Sequence, residues 1–265
     1  MLEFAFFQRA LLGIVLISVA LAITGVYVMS RRMVFISGGI THACFGGLGL
    51  GYFLGVSPIA MAAVFAVGGS LGVEWLSKNG KVRSDSAIAV IWAVGMALGV
   101  LFIFLSSGFV PQLNTFLFGN VLTVSYTDIY IFTAFTLVLA SFFLLFHKTV
   151  VSVSFDQSFA RVNRMPVTFV NVMMTLFVSL AIVLSIRMVG IMMLMSLLSL
   201  PQMIAETRCS RYNMLVLWSM IISVTGSVGG LFISAFLGVP ASATIVLLLA
   251  VMFVVAKLLP HNKNS

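Results

Sequence analysis

The stretch LLGIVLISVALAITGVYVMSRRMVFISGGITHACFGGLGLGYFLGVS, residues 11–57, decides how the rest of the chain is read. Two apolar runs, Leu11–Met29 and Met33–Ser57, are separated only by Ser30 and the pair Arg31–Arg32. At 1.5 Å of rise per residue, about 20 helical residues cross a hydrocarbon layer of about 30 Å, and each run is of that order. The first run is too long for the core of a secretory signal. It is followed by arginines rather than by small cleavage-site residues, so it reads as a retained helix.

Outward from this pair the pattern repeats to the end of the chain. Further runs are Pro58–Leu76, Ala87–Ser106, Thr127–Phe146, Val167–Ile186, Met188–Ala205, Met214–Leu237 and Ala241–Leu259. Val167–Ala205 must turn around Arg187 and Gly190 with almost no loop, so the expectation is eight or nine spanning helices. Leu113–Leu122 is apolar but too short to span, and reads as a re-entrant or surface-lying segment. Of 265 residues, 62% are apolar and 8% charged, whereas a soluble domain carries about 25% charge to cover its surface. The fold class expected is all-α, a polytopic transmembrane helix bundle forming a single domain over residues 1–265.

Charge sets the orientation. With the amino terminus outside, the crossings place Arg31, Arg32, Lys78, Lys81, Arg83, Lys148, Arg161, Arg164, Arg208, Arg211, Lys257 and Lys263 in the cytoplasm. That is twelve of the fourteen basic residues, with Arg9 and Arg187 on the far side. The positive-inside asymmetry therefore predicts an external amino terminus and a cytoplasmic carboxyl terminus, in a bacterial plasma (inner) membrane. The net charge of +8 is scattered in small groups between apolar runs and forms no groove-sized patch, so no nucleic-acid partner is expected. Membrane lipid is.

Small residues recur at four-residue spacing as Gly47–Gly51–Gly55, Gly68–Gly72, Gly95–Gly99 and Gly226–Gly230. On helices this permits close backbone approach, and ordinary bundle packing accounts for most of them. The density from Gly46 to Gly55 points further, to a helix at a subunit interface or a pathway. Ser77–Ser86, Lys148–Pro166 and Pro201–Arg211 read as soluble cytoplasmic segments. The third, PQMIAETRCSR, is short and amphipathic, a natural docking surface for a cytoplasmic partner.

Groups able to do chemistry are few. There is no HExxH, no GxSxG and no GxxxxGK[ST], so the chain is not expected to be an enzyme or to hydrolyse ATP itself. Cys44 and Cys209 lie at membrane depth and in a loop, and are not expected to pair. The acids Glu3, Glu74, Asp85, Asp128, Asp156 and Glu206 all fall at or near helix ends, which speaks against a proton-coupled carrier. His42 stands apart. Ten residues beyond Arg32, it lies about 15 Å deep if helical, where a polar side chain is costly and usually functional. Neutral imidazole is a good ligand for zinc and other borderline divalent metals. Gly38 and Gly39 just before it are expected to loosen the helix and expose carbonyls beside the ring.

RRMVFISGGITHACFGGLGLGYFLG, from Arg31, resembles the second-helix region of the zinc/manganese-type ABC transporter permeases. The resemblance continues in order through SDSAIAVIWAVGMALGVLF (from Ser84), FLFGNVLTVSYTDI (from Phe116), FDQSFARVNRMP (from Phe155), VGIMMLMSLLSLPQMIA (from Val189) and LGVPASATIVLLLA (from Leu237). It implies a permease subunit working as a homodimer with two cytoplasmic ABC ATPase subunits. Divalent metal would be its substrate, delivered by an extracytoplasmic metal-binding protein, with no cofactor permanently bound. Pro201–Arg211 would then be the ATPase-coupling segment. Pro201 would end the preceding span, Ala205 would sit where close approach matters, and Glu206, Arg208 and Arg211 would supply polar contacts. The family's second helix commonly carries an aspartate four positions before the histidine; here that position is Gly38. Only His42 is carried over as a metal contact, and the loss of an oxygen donor disfavours manganese. A permease for a metal chelate, an ion-gradient-driven secondary transporter and a non-transporting assembly subunit are the alternatives.

Overall fold

A computed structural model describes residues 4–79, 83–106, 119 and 121–259. The chain folds into helices α1 (Ala5–Ser30), α2 (Val34–Leu54), α3 (Pro58–Asn79), α4 (Ser84–Leu105), α5 (Tyr126–Leu145), α6 (His147–Phe155), α7 (Gln157–Val162), α8 (Val167–Leu197), α9 (Leu200–Glu206), α10 (Tyr212–Leu237) and α11 (Ala241–Leu258), with one 3₁₀ turn at Val121–Thr123. In hydrocarbon each backbone amide must be bonded within its own segment, and a helix does this without a partner. Among the described residues, eight helical stretches are long and apolar enough to cross a membrane. Of the short apolar segment expected at Leu113–Leu122, residues 113–118 and 120 lie outside the described residues.

One of the eight stretches, Val167–Glu206, has 40 residues, about 60 Å of helix and twice the hydrocarbon thickness. It doubles back. Near its start, Asn171 Oδ1 accepts hydrogen bonds from the Tyr27 hydroxyl and the Arg31 guanidinium, at the end of α1. Met188 lies against Gly13, near the beginning of α1. Beyond the turn, Gln202 is again level with Leu21 and Gly25. The reversal sits at Gly190, whose φ of 71° and ψ of 171° lie in a region that a Cβ forbids. Gly119 packs on the backbone of Val189 and Gly190, with no room for a side chain between them. The stretch therefore supplies two legs, so that among the described residues the chain traverses the bundle nine times. In agreement, Phe4 and Phe7 share a cavity with the α10–α11 connection at Gly238–Pro240, while Val255 and Leu259 lie at the opposite end beside Arg208 and Arg211.

The central helices are α1, α2 and α8, and they bury the largest share of their residues. α2 lies against α3 and α4 at backbone contact. A Cβ on Gly46 would come 2.8 Å from the Gly95 carbonyl oxygen, one on Gly49 2.6 Å from that of Gly99, and one on Gly95 2.5 Å from Ala43 Cα. These glycines thus pack α2 within its own chain. Of the Gly46–Gly55 run, expected at a subunit interface or a pathway, Gly46, Gly47, Gly49 and Gly51 make internal contacts, while Gly55 meets nothing within 4 Å. Lys148–Pro166, read as a soluble loop, is mostly helical: α6 and α7 bury Val150, Val153 and Ala160. Asp156 accepts from the Ser158 and Phe159 amides at 2.8 and 3.0 Å, and so caps α7.

Basic residues sort by end. Arg9 lies over the Tyr126 ring at 5.1 Å and Arg187 pairs with Asp128 at 3.2 Å, both at the beginning of α5. Asp128 also closes a capping box with Ser125, which fixes where α5 starts. At the other end Arg31, Arg32, Glu74, Asp85 and Gln157 line a cavity of about 310 Å³.

Candidate functional site

α2 runs from Val34 to Leu54 without interruption, and Gly38 and Gly39 are helical and buried within it. The helix break expected there is absent. The glycines serve packing instead: a Cβ on Gly39 would meet Ile88 Cγ2 at 2.7 Å, and one on Gly38 would meet Met195 Cε at 3.0 Å. An absent side chain lets α4 and α8 close on α2, and that contact outweighs the flexibility glycine confers on an isolated helix.

His42 is the one residue between Ser37 and Gly49 that is not buried. Its ring stacks on Trp92 of α4, with centroids 4.2 Å apart and planes 10° apart. Its Nδ1 lies 3.3 Å from the thioether sulfur of Met96, one turn further along α4. The close approach at Gly95 is what brings this part of α4 onto His42. Both flanking residues named by the sequence are buried. Thr41 donates to the Ser37 carbonyl at 2.6 Å and lies 4.0 Å from Met195 Sδ, while Cys44 is fully buried. Among the described residues no three His, Cys, Asp or Glu side chains converge as a metal cage. The site thus consists of an imidazole, a thioether and an aromatic wall, and the imidazole is only partly buried.

The five residues assigned to coupling separate into two sets. Pro201 and Ala205 are buried in the chain's own interior, whereas Glu206, Arg208 and Arg211 are exposed. Pro201 does mark the break: α8 ends at Leu197 and α9 begins at Leu200 with the proline in its first turn. Ala205 cannot face a partner, because the apolar side of this short helix is turned into the bundle. Sequence reading missed Gln202 between them. Fully buried, it donates to the carbonyls of Leu197 at 3.1 Å and Leu21 at 3.3 Å, tying α9 to the middle of α1. A glutamine inside an otherwise apolar turn was its signal. Trp92 is not singled out by the sequence, and Met96 and Met195 are not distinguished among sixteen methionines, which read mostly as filler in so apolar a chain, with a metal-conducting track as the alternative.

Known proteins resemble this chain. The manganese transport system membrane protein MntC of Halalkalibacterium halodurans is 27% identical over 97% of this chain and 88% of its own length. The high-affinity zinc uptake system membrane protein ZnuB of Haemophilus influenzae is 28% identical over 94% of this chain and 95% of its own. The solved structure of PsaBC from Streptococcus pneumoniae in complex with Fab superposes with a TM-score of 0.85 at 27% identity, covering 96% of this chain and 91% of that one. Matched by the family's sequence model from residue 3 to residue 259, the chain belongs to the ABC 3 transport family.

Proposed function

We propose that this chain is the membrane-spanning permease subunit of an ATP-driven importer of divalent metal ions, and that the metal passes His42. The observation that carries the reading is the partly buried imidazole on an otherwise buried run of α2, beside the outward face of α4. That face keeps Trp92, Val94, Val100, Leu101 and Phe104 exposed, an apolar surface that a second copy of the chain would cover. The manganese and zinc transport relatives support the cargo class.

Energy comes from a separate ATPase docked on Glu206, Arg208 and Arg211. Their end of the bundle also holds Arg31 and Arg32, so by the positive-inside rule it faces the cytoplasm. Closure of the ATPase moves α9, and Gln202 transmits the movement to α1. An extracytoplasmic binding protein delivers metal at the Arg187 end. A gradient-driven carrier is the weaker reading, because Asp128 and Asp156 are both engaged in helix caps.

The test is uptake of zinc, manganese and iron by proteoliposomes holding the chain with its ATPase and binding protein. ATP-dependent accumulation that is lost in His42→Ala is expected. Uptake that survives without ATP, or is unchanged in His42→Ala, would overturn the proposal.

A further inference from the structure

We infer that the passage at His42 is a soft-donor site in which Met96 and Met195 are selectivity residues, favouring zinc and other borderline or soft cations over manganese. The inference rests on the permease reading and names the cargo of that same site.

Three elements meet around one face of α2. Gly38 and His42 are one helical turn apart, and Trp92 reaches both, stacked on the imidazole and 3.6 Å from where a Cβ on residue 38 would stand. Met195 closes the Gly38 side, its methyl carbon 3.0 Å from that same point. Its sulfur lies 3.9 Å from the Ser37 hydroxyl and 4.0 Å from that of Thr41. Met96 closes the other side, with its sulfur 3.3 Å from His42 Nδ1. None of His42, Met96 and Met195 is fully buried.

The donor set is therefore one imidazole nitrogen and thioether sulfurs on successive turns of the path, with hydroxyls behind them. Among the described residues no group of three or more His, Cys, Asp or Glu side chains gathers there, and the family's aspartate position is Gly38. Thioethers are uncharged and polarisable, and with imidazole they suit zinc and softer ions, whereas manganese prefers carboxylate and carbonyl oxygen. Uncharged ligands also hold a divalent ion weakly, which suits a station that must release its cargo. Metal binding at Nδ1 needs the tautomer with its proton on Nε2, so the lone pair and the Met96 sulfur face the ion together.

The experiment uses the assembled transporter in proteoliposomes, wild type beside Met96→Leu and Met195→Leu, which preserve volume. Zinc and manganese uptake are measured separately and in competition. Zinc K-edge absorption is recorded on the zinc-loaded chain, where a sulfur donor, lying further out, is distinguishable from nitrogen and oxygen at about 2.0–2.2 Å. The expected result is a fall in zinc uptake of about tenfold in Met96→Leu, with manganese unchanged or improved and less sulfur in the zinc shell. A parallel fall in both metals, or no sulfur in the wild-type shell, would overturn the inference and leave Met96 as a support for the ring. A wild-type chain moving neither metal would sink the permease reading instead, while the absorption spectrum still decides the donor set.

Discussion

Gly95 and Gly68 stand in equivalent four-residue glycine repeats, yet replacing each with alanine is predicted to have opposite effects. A Cβ on Gly95 would lie 2.5 Å from Ala43 Cα and 3.1 Å from both Ala43 N and the His42 carbonyl oxygen; one on Gly68 would meet nothing within 4 Å. An ordinary carbon–carbon contact is about 3.7 Å, so α2 and α4 must part locally by about 1.2 Å. The obstructing atoms are backbone and cannot rotate away, which places the overpacking cost near the upper end of its usual range, about 3 kcal/mol. Alanine recovers about 0.5–1 kcal/mol in a helix, leaving Gly95→Ala about 2 kcal/mol less stable and Gly68→Ala slightly more stable. The same parting carries Met96 away from the imidazole, from 3.3 Å to about 4.5 Å if the side chains do not follow. Thermal unfolding in detergent, with zinc uptake measured in parallel, tests both consequences. Gly68→Ala should melt at or above the wild type and transport normally, while Gly95→Ala should melt lower and transport poorly. A Gly95→Ala chain that matches the wild type in both assays would refute the α2–α4 contact and the site built on it.

Gln202→Leu removes two hydrogen bonds, worth about 1 kcal/mol each, between α9 and its neighbours. It is expected to leave ATPase binding intact while lowering metal moved per ATP hydrolysed; an unchanged ratio would remove Gln202 from the coupling path. Asp128→Ala opens the capping box and the pair with Arg187, at a stability cost of about 1 kcal/mol. Uptake should stay within about twofold of wild type, since a cap contributes of that order to stability and nothing to transport, and loss of transport with the fold intact would revive the gradient-driven reading. Exchanging Arg208 and Arg211 for glutamate should weaken ATPase association in pull-down, while Arg161→Glu on α7 should not. Equal weakening would mean that the docking surface extends beyond the α9 end.

The features of this chain differ in how far they can be read without coordinates. Helix existence and order are legible because hydrocarbon demands long apolar runs whose amides bond internally, and the arginine pairs mark the boundaries. His42 is legible for the same reason, as a polar group at a depth where polarity is costly. The turn in Val167–Ala205 was legible too: the length of the run required it around Arg187 and Gly190, and the φ of 71° fixes it at Gly190. The faces of the helices were not legible. In water an apolar stripe shows which side of a helix is buried, but beside lipid both sides are apolar and the stripe disappears. Hence Gly38 and Gly39 suggested a break where they provide contact, and Ala205 suggested a docking residue where it fills the interior. The amino-acid sequence by itself therefore determined the membrane, the order of the spans, the family resemblance and the histidine at membrane depth. Only the tertiary structure decided that Trp92 and Met96 flank that histidine, that Met195 packs one turn away at Gly38, and that Gly95 rather than Gly68 holds α4 there, because packing between apolar helices depends on shape, which hydropathy does not encode.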